Sequence, residues 1–353
     1  MDTLTHALSG ALFARATAAR DSEPEAIPCW QRIAVGALAA AFPDVDFVAS
    51  FISPLFWIRY HRGITHSILL LPVWALLLAW LAALVFRHPR GWRAYYAVAV
   101  LGLGAHVAGD LITSFGTMIY APLSDARVAW GTTFIIDLWF TGIIVAGLAL
   151  SALWKRSSMP ALVASAVLVG YVGFQGMLHA KAIELGAQYA HVQGIAGAKV
   201  SVQPGPVSPF NWVVVVDKDG EYRYAFVNLV RREVAADPGA YSGYLARMSA
   251  PFNPVADAVW RKASQFGHIP EDERLAREAW NQAGFAVFRW FAQYPTLYRV
   301  DHGNPSLCVW FHDLRFSRPG ASNTSFLYGM CREPAKPWHP YQLVGDNTRV
   351  ALD

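Results

Sequence analysis

The sequence predicts an α-helical polytopic membrane domain of about five to six membrane helices over residues 1–180, followed by a small α+β soluble domain over residues 181–353. Three observations carry this. Charged side chains make up only 15% of the chain, against about 25% in an ordinary soluble domain. Hydrophobic residues reach 54%, which excludes a disordered chain. The charge is also uneven: residues 1–180 hold 20 charged side chains, 11 basic and 9 acidic, and the other 34 fall after residue 180. The net charge of +4 divides equally between the halves, so neither half carries the basic excess of a nucleic-acid binder.

A membrane span needs about 20 mostly apolar residues. Residues 33–51, 67–86, 94–118, 133–154 and 160–179 meet that requirement, and the shorter stretch 4–19 is a candidate sixth. The stretch lacks a basic leader and is interrupted by His6, unlike a signal peptide. Lys and Arg mark the cytoplasmic ends of spans. Arg15, Arg20 and Arg32 flank the first connection, Arg87, Arg90 and Arg93 the third, and Lys155 with Arg156 the fifth. The opposite connections hold only Arg59, Arg62 and Arg127. By parity the chain leaves its last span on the outer side, so a multi-pass protein of the bacterial inner (plasma) membrane with an extracytoplasmic C-terminal domain is expected.

The outer half has a different texture. Residues 212–217 and 222–230 are β-branched and aromatic, and Lys218-Asp219-Gly220 between them suits a hairpin turn. A second hairpin is expected from residues 297–300 and 307–315 around His302-Gly303-Asn304-Pro305. Residues 241–266 and 271–294 are expected to be helical, the second starting after Pro270. Cys308 and Cys331 fall where a disulfide is chemically allowed, and Cys29 falls in an expected cytoplasmic loop. His191, His268, His302, His312 and His339 show no ligand spacing.

The first half holds the chemistry. An ionisable group at the centre of a span costs about 2.5–3.5 kcal/mol, so each one is a functional hypothesis. They occur in five places: His6 with Asp2; Asp44 and Asp46 after Pro43; His61, Arg62 and His66; His106 and Asp110; and Asp137. His106 and Asp110 lie 12 to 16 residues beyond Ala94, about 18–24 Å in from the cytoplasmic end. The other groups fall at the same outer depth. His106 and Asp110 share a helix face at i,i+4. Asp44 and Asp46 diverge on a regular helix, but Pro43 makes an irregularity there where both can turn inward.

Four histidines and four acids (His6, His61, His66, His106, Asp44, Asp46, Asp110 and Asp137) exceed what one cation needs. A divalent metal site, of two ions, is expected, with Zn ahead of Mn or Fe because imidazole and carboxylate are mixed. Two such ions activate water near neutral pH and clamp a phosphoester. An unligated Asp44 or Asp46 would then be the general base. Arg62 is expected to bind an anionic head group or a developing oxyanion, with Thr65, Ser67 and Thr113 orienting the ligands.

Met1-Asp2-x-x-Thr5-His6, Pro43-Asp44-x-Asp46, His61-Arg62-Gly63-x-Thr65-His66-Ser67 and His106-x-x-x-Asp110 resemble the YdjM-like family. Its members are described as inner-membrane-associated metal-dependent hydrolases, some under LexA control. The resemblance covers roughly residues 1–150, and the segments at 212–215 and 311–316 are similar to the soluble extension of longer members. It implies metal-dependent hydrolysis; the position of the cluster in apolar text adds the expectation of a membrane-embedded substrate, a lipid phosphoester or a lipid-linked head group. His-Glu-x-x-His, Pro-Ser-Gly-His and Gly-x-Ser-x-Gly are all absent, against zincin-like proteases, phosphatidic acid phosphatases and serine lipases. A cation transporter and a non-catalytic scaffold whose outer domain binds a protein partner are the competing classes. The transporter would show repeat symmetry, and none is seen.

Overall fold

Asp2 begins the first helix: its Oδ1 accepts from the Thr5 amide at 3.0 Å and starts α1 (Thr3–Ala16). The computed structural model describes residues 1–18, 27–235, 243–303, 306–317, 326–345 and 347–352. Arg20, Asn304, Pro305 and the first two residues of the expected 241–266 helix lie outside the described residues. The described chain forms two units. One holds 1–48, 60–179 and 206–209; the other holds 49–59, 180–205 and 210 onward.

In the first unit α2 (Cys29–Ala41) tightens at Pro43 into a 3-10 segment, Phe42–Phe51. Proline has no amide hydrogen to continue the α-helical ladder. Then come α4 (Leu71–Phe86), α5 (Tyr96–Leu111) and α6 (Leu138–Leu153); the short α3 (Pro54–Tyr60) before them belongs, up to Arg59, to the second unit. The last helix, α7 (Met159–Val192), is 34 residues long, and its residues after His179 belong to the second unit.

Among the described residues, two helices are candidate spans by length and apolar composition, Cys29–Phe51 and Met159–Val192. Pro54–His66 and Leu71–Phe86, bent by 77°, form a third as a pair. The expectation of five to six spans is therefore corrected to two or three. The apolar text at 94–118 and 133–154 outruns its helices. α5 stops at Leu111, where the Thr113 amide and hydroxyl both take the Asp110 carbonyl. α6 starts only after its Asp137 cap. Each has 16 residues, about 24 Å, against a hydrocarbon core of about 30 Å.

Small residues bring three helices unusually close. A Cβ built on Gly10 would lie 2.1 Å from the Gly36 carbonyl oxygen, and one on Gly102 would lie 2.6 Å from that same oxygen. Thus α1, α2 and α5 meet backbone to backbone, the packing that glycine permits inside membranes. Leu12, Phe140, Ile144 and Leu168 fill the space among α1, α6 and α7.

The second unit is rich in strands. In one sheet β2 (Asn211–Lys218) pairs antiparallel with β1 (Lys199–Pro204) and with β3 (Glu221–Asn228). The far edge of β3 takes β4 (Asn253–Pro254) and β5 (Arg261–Ser264). The expected turn closes the β2–β3 hairpin: Asp219 and Gly220 both have positive φ, 55° and 83°, as a type I′ loop requires. The other sheet is an antiparallel run of β6 (Pro295–His302), β7 (Leu307–Asp313), β8 (Tyr328–Arg332), β9 (His339–Val344) and β10 (Thr348–Ala351). The β6–β7 pair is the expected second hairpin. Cys308 and Cys331, directly opposed on β7 and β8, form a disulfide.

Both expected helices here need correction. Among the described residues of 241–266, α8 (Tyr244–Ser249) is the one α-helix, with a 3-10 turn at Val255–Asp257; Pro251 and Pro254 end α8 and the chain turns to β4 and β5. The 271–294 helix is broken into α9 (Pro270–Trp280) and α10 (Ala286–Phe291) around Asn281 and Gln282. Phe285, Phe288 and Phe311 pack between these helices and β7. The 49–59 segment also contributes to this unit: the Arg59 guanidinium lies 4.4 Å above the Trp290 ring.

Candidate metal centre

α5 supplies two of the four residues that converge in the first unit. His106 and Asp110, one turn apart, are both fully buried. Asp44 enters from the 3-10 segment after α2, and His66 from the 3-10 turn Ile64–His66. One ligating atom from each of these four residues lies within 4.8 Å of all the others. The His66 Nε2 is 3.2 Å from Asp110 Oδ2 and 3.7 Å from Asp44 Oδ1. The His106 Nε2 is 3.5 Å from Asp110 Oδ2 and 3.7 Å from Asp44 Oδ1.

These distances are not hydrogen bonds. His66 Nε2, His106 Nε2 and Asp110 Oδ2 are all buried without a hydrogen-bond partner. A buried polar atom left unpaired costs about 1–3 kcal/mol, so three facing one point would be a heavy penalty unless something positive sits between them. Two imidazoles and two carboxylates are a donor set that fits a divalent transition ion.

The opposite edges of the rings fix their tautomers. His106 Nδ1 donates to the Ala40 carbonyl at 2.5 Å, which leaves the Nε2 lone pair facing the cluster. His66 Nδ1 donates to Thr65 Oγ1 at 3.0 Å, and that hydroxyl donates to Asp46 Oδ2 at 3.2 Å. This is a carboxylate-to-histidine relay through one hydroxyl, the kind of outer support that orients ligands. Asp44 is held by its other oxygen, which accepts from Thr3 Oγ1 at 2.6 Å.

The remaining expected ligands stand elsewhere. Asp46 accepts from His61 Nδ1 at 2.8 Å and from the Arg62 amide at 2.9 Å. Its carboxylate therefore anchors the 61–66 turn and is a support, not a member of the four-residue cluster, and His61 is paired to it. His6 Nε2 bonds Asp110 Oδ1 at 3.0 Å, and its ring stacks on His106 at 3.7 Å. Asp137 is not at the cluster. Its Oδ1 caps α6 through the Trp139 and Phe140 amides, and its Oδ2 takes the Tyr171 hydroxyl at 2.9 Å. Both oxygens are consumed by a helix end and by packing, which accounts for a buried acid there without a metal.

Arg62 also differs from expectation. Its side chain is 2% exposed, pairs with Asp110 Oδ1 at 2.9 Å and donates to Thr113 Oγ1 at 2.9 Å. A guanidinium so enclosed neutralises Asp110 and does not reach out to a head group. The backbone of Arg62 is left-handed, with φ 60°, and is held there by its amide bond to Asp46 and by the Met118 amide on its carbonyl. Of the three expected orienting hydroxyls, Thr65 meets a cluster side chain, His66; Thr113 bonds Arg62 and the Asp110 main-chain carbonyl, and Ser67 bonds the Ala121 carbonyl at 2.5 Å. The Met1 amine, which also pairs with Asp110 Oδ1, and Thr3 were not expected. Nothing in residue spacing marks them; only the close packing of α1 on α2 and α5 brings them in.

Asp44 and Thr3 also line an apolar cavity of about 600 Å³ between α2 and α4. The features together define a class: an α-helical membrane protein whose helical unit buries a histidine and aspartate cluster able to hold a metal ion. The particular family follows from comparison with known proteins. The chain belongs to the YdjM inner membrane protein family, which it matches over residues 1–182. It is similar to YfhP of Bacillus subtilis (strain 168), described as uncharacterized, with 28% identity over 133 residues. That alignment covers 37% of this chain and 39% of the relative. No solved structure matches the chain.

Proposed function

We propose that this chain is a membrane-bound metal-dependent hydrolase acting on a lipid phosphoester or a lipid-linked head group. The observation that carries the reading is the convergence of three buried, unpartnered ligand atoms on Asp44, beside an apolar cavity. His66, His106 and Asp110 hold the ion, with Zn ahead of Mn or Fe for this donor set. When bound, the ion supplies Lewis acidity to the phosphoryl oxygen and lowers the pKa of water. The chain's own groups do the rest. Ala40 and Thr65 keep both imidazoles in the tautomer that presents Nε2. Arg62 offsets the charge of Asp110. Asp44 lines the cavity, so it receives the proton of the attacking water at Oδ1 while Thr3 holds Oδ2.

Lys155 and Arg156, just before the candidate span Met159–Val192, and the Cys308–Cys331 disulfide support an extracytoplasmic C-terminal half, where disulfides persist.

The test uses full-length protein in lipid nanodiscs, with metal content and phosphate release from lipid phosphoesters both measured. His106→Ala and His66→Ala lose the ion and turnover together. Asp44→Asn keeps the ion and loses about 10²–10⁴-fold in turnover, the range of a general base. Full metal content in both histidine variants overturns the site. Loss of the ion in Asp44→Asn reduces Asp44 to a ligand.

A further inference from the structure

The cavity beside the cluster has fourteen lining residues, twelve of them apolar; the two polar ones, Thr3 and Asp44, are bonded to each other. Its walls come from α2 and α4, which run in opposite directions. Val35 packs in one cluster with Phe86, and Phe42 packs in another with Leu78. The polar pair therefore marks one end, beside Leu78, and the far end between Val35 and Phe86 is wholly apolar. Eight or nine residues of helix separate the ends, about 12–14 Å. With no Lys or Arg in the lining, the cavity offers one polar anchor and one only.

We propose that this groove holds the hydrocarbon chain of the substrate lipid, with the ester end at Asp44 and the tail directed toward Phe86. The proposal rests on the hydrolase reading above and adds how the substrate is selected. Size favours this occupant. A volume of about 600 Å³ lies within the usual range for small-ligand sites. Position favours it as well, because the apolar groove runs directly into a residue of the ligand cluster. Entry is sideways from the bilayer: Leu38 and Val85 on its rim are 68% and 73% exposed. Free energy for binding then comes from the tail and chemistry from the head, so chain length, not head-group charge, sets specificity.

A second apolar cavity of similar volume, between α6 and α7, is lined by Leu150 and Val163 and includes none of the four cluster residues, so it serves as a control. Full-length protein in nanodiscs is photolabelled with a phosphatidic acid analogue carrying a diazirine on its acyl chain. In parallel, phosphate release is compared for lysophosphatidic acids of increasing chain length and for glycerol 3-phosphate. Label is expected on residues 35–47 and 78–86. The kcat/KM is expected to rise about fourfold per methylene while the probes are monomeric in water. Leu38→Trp and Val85→Trp lose the label and at least tenfold in long-chain turnover, with glycerol 3-phosphate unchanged. Leu150→Trp leaves all three readouts as in the parent. Unchanged labelling and an unchanged long-to-short ratio in both groove variants overturn the groove. Labelling of the groove by a parent protein that turns over neither substrate overturns the hydrolase reading and leaves lipid binding standing.

Discussion

Asp110 and Asp313 are both wholly buried aspartates paired with an arginine, one in each unit of the molecule. Asp313 is complete. Its Oδ1 accepts from the Arg315 amide, and its Oδ2 accepts from the Gln293 amide and twice from the Arg315 guanidinium. Burial alone would raise its pKa, but the adjoining Arg315 outweighs that and holds the carboxyl below its ordinary range. Asp110 is half complete. Its Oδ1 is crowded by Arg62, His6 and the Met1 amine, while Oδ2 has no hydrogen bond and faces two equally unpartnered imidazole nitrogens. Burial is common to both, so burial is not what distinguishes a site from a structural ion pair. The distinction is whether the carboxylate's acceptor capacity has been used up.

The comparison can be broken by changing both residues alike. Asp110→Asn is expected to remove the bound ion and lower turnover at least 10³-fold, read by elemental analysis and phosphate release. Asp313→Asn is expected to leave the ion in place and destabilise the second unit by about 3–5 kcal/mol, the cost of breaking a buried pair. Equal metal loss in the two would end the distinction.

A smaller effect comes from His312, next to Asp313, whose pKa burial pushes down to about 4. A histidine kept neutral in the folded state takes up its proton on unfolding. Its contribution is therefore full above about pH 6.5 and is lost as the pH falls toward 4. Denaturant midpoints should show a loss of about 3 kcal/mol across that window, absent in His312→Gln. The least effect is expected at Asp137, whose acceptors are spent on a cap and on Tyr171. Asp137→Ala should cost about 1–2 kcal/mol of thermal stability with metal content unchanged.

Much of the cluster was legible before any geometry. His66, His106, Asp110 and Asp44 announce themselves because ionisable groups are expensive in apolar text, and His106 with Asp110 is a one-turn pair. What could not be read was how each acid spends its oxygens. Asp46 and Asp137 stand in the same apolar text as the four clustered residues, yet one braces the 61–66 turn and the other ends a helix. The number of spans came out lower than expected because apolar text continues past the helix ends, as in the turn after Leu111. In the second unit the Asp219-Gly220 turn was plain from chemistry. The 241–266 helix was not, because its composition outweighed Pro251 and Pro254. The glycines carried a signal that spacing alone holds: Gly10 with Ala14, and Gly36 with Ala40, are small residues one turn apart on facing helices.

Those glycines give the centre an unusual dependence. Gly36 lies eight residues before Asp44 and touches no ligand, yet its carbonyl is where α1 and α5 both rest. The spacing of three helix axes thus acts as a caliper that sets how far apart Asp44, His106 and His6 stand. Under the proposed metal reading, ion affinity is in part a property of backbone separation: a methyl added at Gly36 would lie 2.5 Å from Ala14 Cβ and spread helices that never touch the cation.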